Sequence, residues 1–189
     1  MKALMVKGEL IPAMLSHAKT QTYRILYPLV AINDQPDEWE CLCVAIDGRL
    51  YFRHVGQLLE KPLIIRPPYR PGETCFVPEA HHGYIDENDE WSVTYKADWV
   101  LAPDETHFTW RSPYWMKAVQ ARLFVHIDKV WAQRILTVTP EQVYAEGLAP
   151  CRLTDYLALW DCLNPAYPSE RNPWVIGTSC HYVDRPEGI

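Results

Sequence analysis

The sequence predicts an α+β domain, a mixed and partly closed β barrel with a few short flanking helices. Strand-like runs recur along most of the chain, with helix signals at one early and two late positions. Sixteen prolines and eight tryptophans point to long ordered connections pinned by large side chains. The 189 residues suffice for one domain with its own core.

Residues 2–6 are a short apolar run and read as a first strand. Gly8 punctuates it, and a short helix over about 9–18 follows, with Pro12 in its first turn. Ile11, Met14 and Leu15 share one face at i, i+3 and i+4. The polar stretch from Lys19 then continues as extended chain, and 33–40 is an acidic loop. Runs 41–46 and 50–52 flank Asp47-Gly48-Arg49, a hairpin signal. Pro62, Pro67, Pro68 and Pro71 break the next segment, and 69–73 is a turn feeding a strand over 74–77. A loop at 86–90 precedes a strand at 91–95, and a proline- and acid-containing connection leads on to Trp110.

The clearest strand is 121–131. Leu123, Val125, Ile127 and Val130 alternate with one slip, the mark of a bulge. Thr139-Pro140 starts a helix, as N-cap and first helical residue, that Gly147 stops. A second helix begins at Thr154 or Asp155 and runs to Leu163, with Leu157 and Trp160 facing the core. The last strand spans 173–183.

The formal net charge of −6 argues against a whole-surface nucleic-acid binder. Acidic residues gather at Asp34–Glu40 and at Asp86–Glu90. From Arg111 to Arg134, five basic residues stand against Asp128 alone. That segment reads either as a local basic face or as ordinary solvated surface. No apolar run reaches the roughly 18 residues of a membrane span. The N-terminus shows no signal-peptide pattern, so a cytoplasmic protein is expected. Six cysteines without C-x-x-C then read as reduced thiols, and their spacing fits no standard zinc site. Neither a metal nor another cofactor is expected.

The chemistry concentrates in Lys19-Thr20-Gln21-Thr22-Tyr23-Arg24. These residues offer hydrogen-bond donors, positive charge and hydroxyls, where a merely soluble loop would favour Glu, Ser, Gly and Asp. Structural readings stand beside the functional ones. Lys19 can serve as a cation at a helix C-terminus, Thr22 as an ordinary strand residue, and Glu146 as a solvated helix residue. In a regular strand Lys19 and Thr22 would point to opposite faces, so they converge only if Lys19 sits in a turn or at a helix end.

The segment resembles the K-T-x-T-x-R signature of ASCH domains, members of the PUA-like superfamily. Pro71-Gly72-Glu73 with Phe76-Val77-Pro78-Glu79 is similar to that family's P-G-D segment and following strand. Trp110-Arg111-Ser112-Pro113, Met116 and Arg122 resemble a block of phage and prophage ASCH-like proteins. Thr139-Pro140-Glu141 through Ala145-Glu146-Gly147-Leu148 resembles the family's helix ending in A-E-G. Leu159-Trp160-Asp161 and Asn172-Pro173-Trp174-Val175 are similar to the group's closing segments. Tyr23 and Pro78 stand where the prophage group often has arginine, which removes positive charge from the implied cleft.

The resemblance implies a PUA-like mixed β pseudobarrel over 1–189, with an insertion around 30–70. It also implies RNA or a modified nucleoside as partner. In amidohydrolases of the family, which deacetylate N4-acetylcytidine, the working residues correspond to Lys19, Thr22 and Glu146. Arg24, Gln21, Tyr23, Arg111, Arg122 and Trp110 are then expected to contact substrate or nucleic acid, the aromatic rings by stacking on bases. The alternative is a non-catalytic RNA- or nucleotide-binding module using the same cleft.

Overall fold

The structure, a computed structural model, describes residues 1–57, 61–99, 109–148 and 151–189. The strands are β1 (Lys2–Ala3), β2 (Gln21–Arg24), β3 (Trp39–Val44), β4 (Leu50–His54), β5 (Leu63–Ile65), β6 (Thr74–Phe76), β7 (His81–Ile85), β8 (Trp91–Tyr95), β9 (Phe124–Arg134) and β10 (Trp174–Val183). The helices are α1 (Ile11–Leu15), α2 (Tyr27–Asn33), α3 (Pro140–Ala145) and α4 (Leu153–Leu163), with several 3-10 turns. The fold class is α+β, dominated by strands and served by short helices, as expected. Pairing follows the order β1-β6-β9-β10-β2, with separate β3-β4-β5 and β7-β8 sheets.

The described chain forms two compact units. One comprises Met1–His17, Thr74–His126 and Tyr182–Ile189, the other Ala18–Glu73 and Ile127–His181. In the first, β1 runs parallel to β6 and β6 antiparallel to β9. Phe76, Met116, Ala121 and Phe124 form a buried cluster there, covered by Tyr95, Val183 and Ile189 among others. In the second, β2 runs antiparallel to β10, with Thr22 opposite Thr178 and Tyr23 opposite Gly177. Its core gathers Tyr23, Ile135, Val138, Val143, Tyr156, Trp160 and Val175. Gly177 is required here because the Trp131 ring lies where a Cβ would sit, at 2.3 Å.

Local signals fixed several elements as expected. Asp47-Gly48-Arg49 closes the β3–β4 hairpin, with Gly48 at φ 81° and the Arg49 amide donating to Asp47 Oδ1. Thr139 caps α3 in a reciprocal box with Gln142, and Gly147 ends the turn at φ 83°. On β9, Val125, Ile127 and Val130 are buried while Asp128 and Lys129 are both exposed, so the alternation slips where the sequence says it does.

Other boundaries moved. β1 stops at Ala3 because only Lys2 and Ala3 pair with β6, and the pairing portion of β9 starts at Phe124 and extends to Arg134. The early helix is shorter than 9–18. A 3-10 turn precedes α1, and His17 at φ 59° turns the chain out of helix. Helix α2 and strand β7 occupy stretches in which the sequence suggested no helix or strand. Helix α4 starts at Leu153 and buries Tyr156 and Trp160, with Leu157 only partly covered. The connection expected before Trp110 lies largely outside the described residues.

Candidate functional site

Lys19 lies between α1 and β2, outside any strand. The alternation rule therefore does not force its side chain away from Thr22. Backbone bonds hold this link against the end of α3. The Thr20 amide donates to the Ala145 carbonyl at 2.7 Å, and the Cys180 amide donates to the Thr20 carbonyl at 2.9 Å. Lys19 Nζ donates to the carbonyls of Gln21 and Glu146, each at 2.9 Å. The Tyr23 amide donates to Glu146 Oε1 at 3.0 Å, which joins residues 123 apart in sequence.

Glu146 is the C-cap of α3. Its carbonyl is one of those a helix end leaves without an intrahelical partner. Lys19 satisfies that carbonyl and places a cation at the negative end of α3. The helix-terminal role open to Lys19 in the sequence is thus realised, but on a helix more than a hundred residues away.

The same contacts put charge into the interior. Lys19 is 3% exposed and Glu146 9%, with Nζ 4.0 Å from Oε1. Burial lowers the Lys19 pKa and the Arg24 charge lowers it further, against the pull of Glu146. Burial raises the Glu146 pKa, outweighing Lys19, the Tyr23 amide and Arg24. The two proton affinities are driven toward each other. Tyr156 completes the cluster. Burial and then the nearby Glu146 carboxylate push its hydroxyl up.

The structure therefore brings together Lys19, Glu146, the Tyr23 amide and the field of Arg24. Thr22 sits within β2 opposite Thr178, which is 5% exposed. Gln21 Oε1 accepts from the Tyr23 hydroxyl at 3.0 Å. The Tyr23 ring is 5% exposed and meets Trp131 edge-on at 5.8 Å, so packing closes it to a stacked base. Tyr156 was missed by the sequence reading. Its signal was a phenol four residues before Trp160, a polar tip on the apolar face of α4.

The remaining expected residues belong to the other unit. Arg122 Nε and Nη2 each donate at 2.9 Å to the Glu79 carboxylate, which is 1% exposed. Arg122 Nη1 reaches Asp98 at 2.8 and 2.9 Å, and the guanidinium lies 4.1 Å from the Tyr95 ring centroid. Arg111 exchanges backbone hydrogen bonds with His81, and its side chain is exposed. Trp110 packs edge-on near Trp99, with ring centroids 6.5 Å apart. Among the described residues no group of three His, Cys, Asp or Glu side chains could hold a metal, and no helix is long and apolar enough to cross a membrane.

No protein-family model and no curated protein matches the chain. Among solved structures it is similar to protein EF3133 from Enterococcus faecalis V583, described as a DUF984 protein. The identity is 11%, the TM-score 0.45, and the match covers 97% of this chain and 77% of that one.

Proposed function

We propose that the chain binds an acylated cytidine, or RNA that carries one, at the Lys19–Glu146 cluster and hydrolyses its exocyclic amide. The fold is then a PUA-like pseudobarrel of ASCH type. One observation carries the proposal. A buried lysine and a buried glutamate lie 4.0 Å apart, with proton affinities shifted toward each other, next to a strand that bears the Thr22 hydroxyl.

In this reading the pair reacts from its neutral form: the Lys19 proton passes to Glu146, and the uncharged amine takes the Thr22 hydroxyl proton as the oxygen attacks the acyl carbon. An uncharged amine still serves both the Gln21 and Glu146 carbonyls with its two N–H bonds, so deprotonation sacrifices neither contact. Arg24 supplies positive charge for the oxyanion. Glu146 in its acid form, favoured by burial, protonates the departing cytidine nitrogen. Lys19 then returns its proton to Glu146 and, as base again, takes a proton from the water that attacks the threonyl ester; the carboxylic acid leaves as the Thr22 oxygen takes that proton back.

The second reading is a binding module without turnover. What favours it is that Lys19 Nζ is already committed to two backbone carbonyls, a structural use of the same side chain. Deacylation of N4-acetylcytidine, followed by chromatography, separates the two. The enzyme reading expects turnover by wild type that Lys19→Met lowers about 10²- to 10⁴-fold, the usual contribution of a general base. Absence of turnover by wild type on N4-acetylcytidine and related N-acyl nucleosides overturns it. RNA affinity that falls with added salt would then identify the module.

A further inference from the structure

We infer that Arg49, Arg66 and Arg70 form a second site, a cleft that binds a phosphate-bearing anion. The second unit holds a cavity of about 400 Å³ lined by these three arginines, Asp47 and Pro67. Three separate constraints bring the arginines there. The β4–β5 register ends on Leu50 opposite Ile65, so the chain neighbours Arg49 and Arg66 both flank that last pair. The hairpin tip lies against the 69–73 turn, where a Cβ on Gly48 would meet Pro71 Cδ at 2.9 Å and Arg70 Cα at 3.7 Å. That turn is itself fixed. The Gly72 amide donates to the Ile127 carbonyl at 2.8 Å, and the Arg70 amide donates to Glu73 Oε2 at 3.1 Å.

The charge of this cleft is unbalanced. Among the described residues, a chain of net charge −6 places three guanidinium groups around one cavity with a single carboxylate. Asp47 is held ionised, first by the Arg49 amide and then by the charges of Arg49 and Arg70. It cancels one positive charge, and two remain. Asp47 Oδ2 and Arg49 Nε lie 2.7 Å apart as an ion pair, which leaves Arg66 and Arg70 as the charges this carboxylate does not neutralise.

The lining selects the class of ligand. Guanidinium forks match phosphate oxygens two at a time. The volume falls in the range of small-ligand clefts, roughly 300–1,000 Å³, and exceeds what a bare ion fills. Among the described residues Pro67 is the one apolar lining residue, so the cleft is suited to hold phosphate rather than to stack a base.

The test is calorimetric titration of the whole chain with inorganic pyrophosphate and, separately, with a short oligouridylate. Arg66→Ala and Arg70→Ala are each expected to weaken binding about tenfold or more, as for loss of a charge-assisted bidentate contact. Both side chains are exposed, so the variants should keep the wild-type melting profile. Asp47→Asn keeps the acceptor for the Arg49 amide, removes the competing charge, and should tighten binding. Binding of both ligands with the same arginine dependence makes the bound group part of a nucleic-acid backbone. Binding of pyrophosphate alone makes it part of a small phosphorylated compound. Failure of both ligands to bind, or affinities indifferent to all three substitutions, overturns the proposal. None of these residues belongs to the Lys19–Glu146 cluster, so loss of anion binding with deacylation intact, or the reverse, separates the two sites.

Discussion

At the residue scale the second unit rests on a costly pair. Removing one partner of a buried ion pair typically costs about 3–5 kcal/mol, because the other charge is left uncompensated. Glu146→Gln preserves an acceptor for the Tyr23 amide but strands the Lys19 charge. It should therefore destabilise the protein by that order, and adding Lys19→Met should restore most of the loss in urea melts. The pH dependence has a definite sign. Between about pH 4.3 and the raised folded pKa of Glu146, the folded protein keeps a proton that the unfolded chain releases. The Glu146 contribution to stability therefore grows as pH falls through that window. The stability difference between wild type and Glu146→Gln should move toward wild type across it. Lys19 acts in the opposite sense. Between its lowered folded pKa and about 10.4 the unfolded chain holds the extra proton, so stability rises with pH there, and Lys19→Met abolishes that rise.

At the scale of elements, α3 carries Glu146, and its start is set by local chemistry. Thr139 Oγ1 accepts from the Gln142 amide, while Gln142 Oε1 accepts from the Thr139 amide at 2.9 Å. Thr139→Ala should cost about 1 kcal/mol by denaturant melts, the usual value of an N-cap. This cap was legible because its residues lie three apart, and so was the Asp47-Gly48-Arg49 turn. Helix α2 was not. Its N-cap is Leu26, which makes no side-chain cap, and β-branched Val30 and Ile32 weaken any helical preference. Tertiary burial of Leu29 and Ile32 decides it instead. Strand β7 was hidden for a related reason. His-His-Gly-Tyr-Ile shows no alternation, and Gly83 weakens the run until the Trp91 ring covers it from β8. At the site, residue types were readable from the sequence, but the capping of α3 by Lys19 was not. That contact depends on which distant helix end arrives beside it.

At the scale of the whole molecule, neither unit is one continuous stretch of chain. The first is completed by the C-terminal residues. Arg185 Nη2 donates to the Ala121 carbonyl at 2.6 Å, Tyr182 stacks on His17 at 4.0 Å, and Val183 and Ile189 pack on the Phe76 cluster. Deleting Tyr182–Ile189 should therefore lower the melting temperature measurably by calorimetry, although the deleted segment is short and terminal. Strand β2 depends on the far end of the chain in the same way, because it pairs with Ile176–Ser179 of β10. During synthesis the Lys-Thr-Gln-Thr-Tyr-Arg segment is made well ahead of Ile176–Ser179 and stays without its partner strand until β10 has left the ribosome. A product terminated ahead of β10 would carry the segment but could not pair it, so assembly of the Lys19–Glu146 cluster waits on β10.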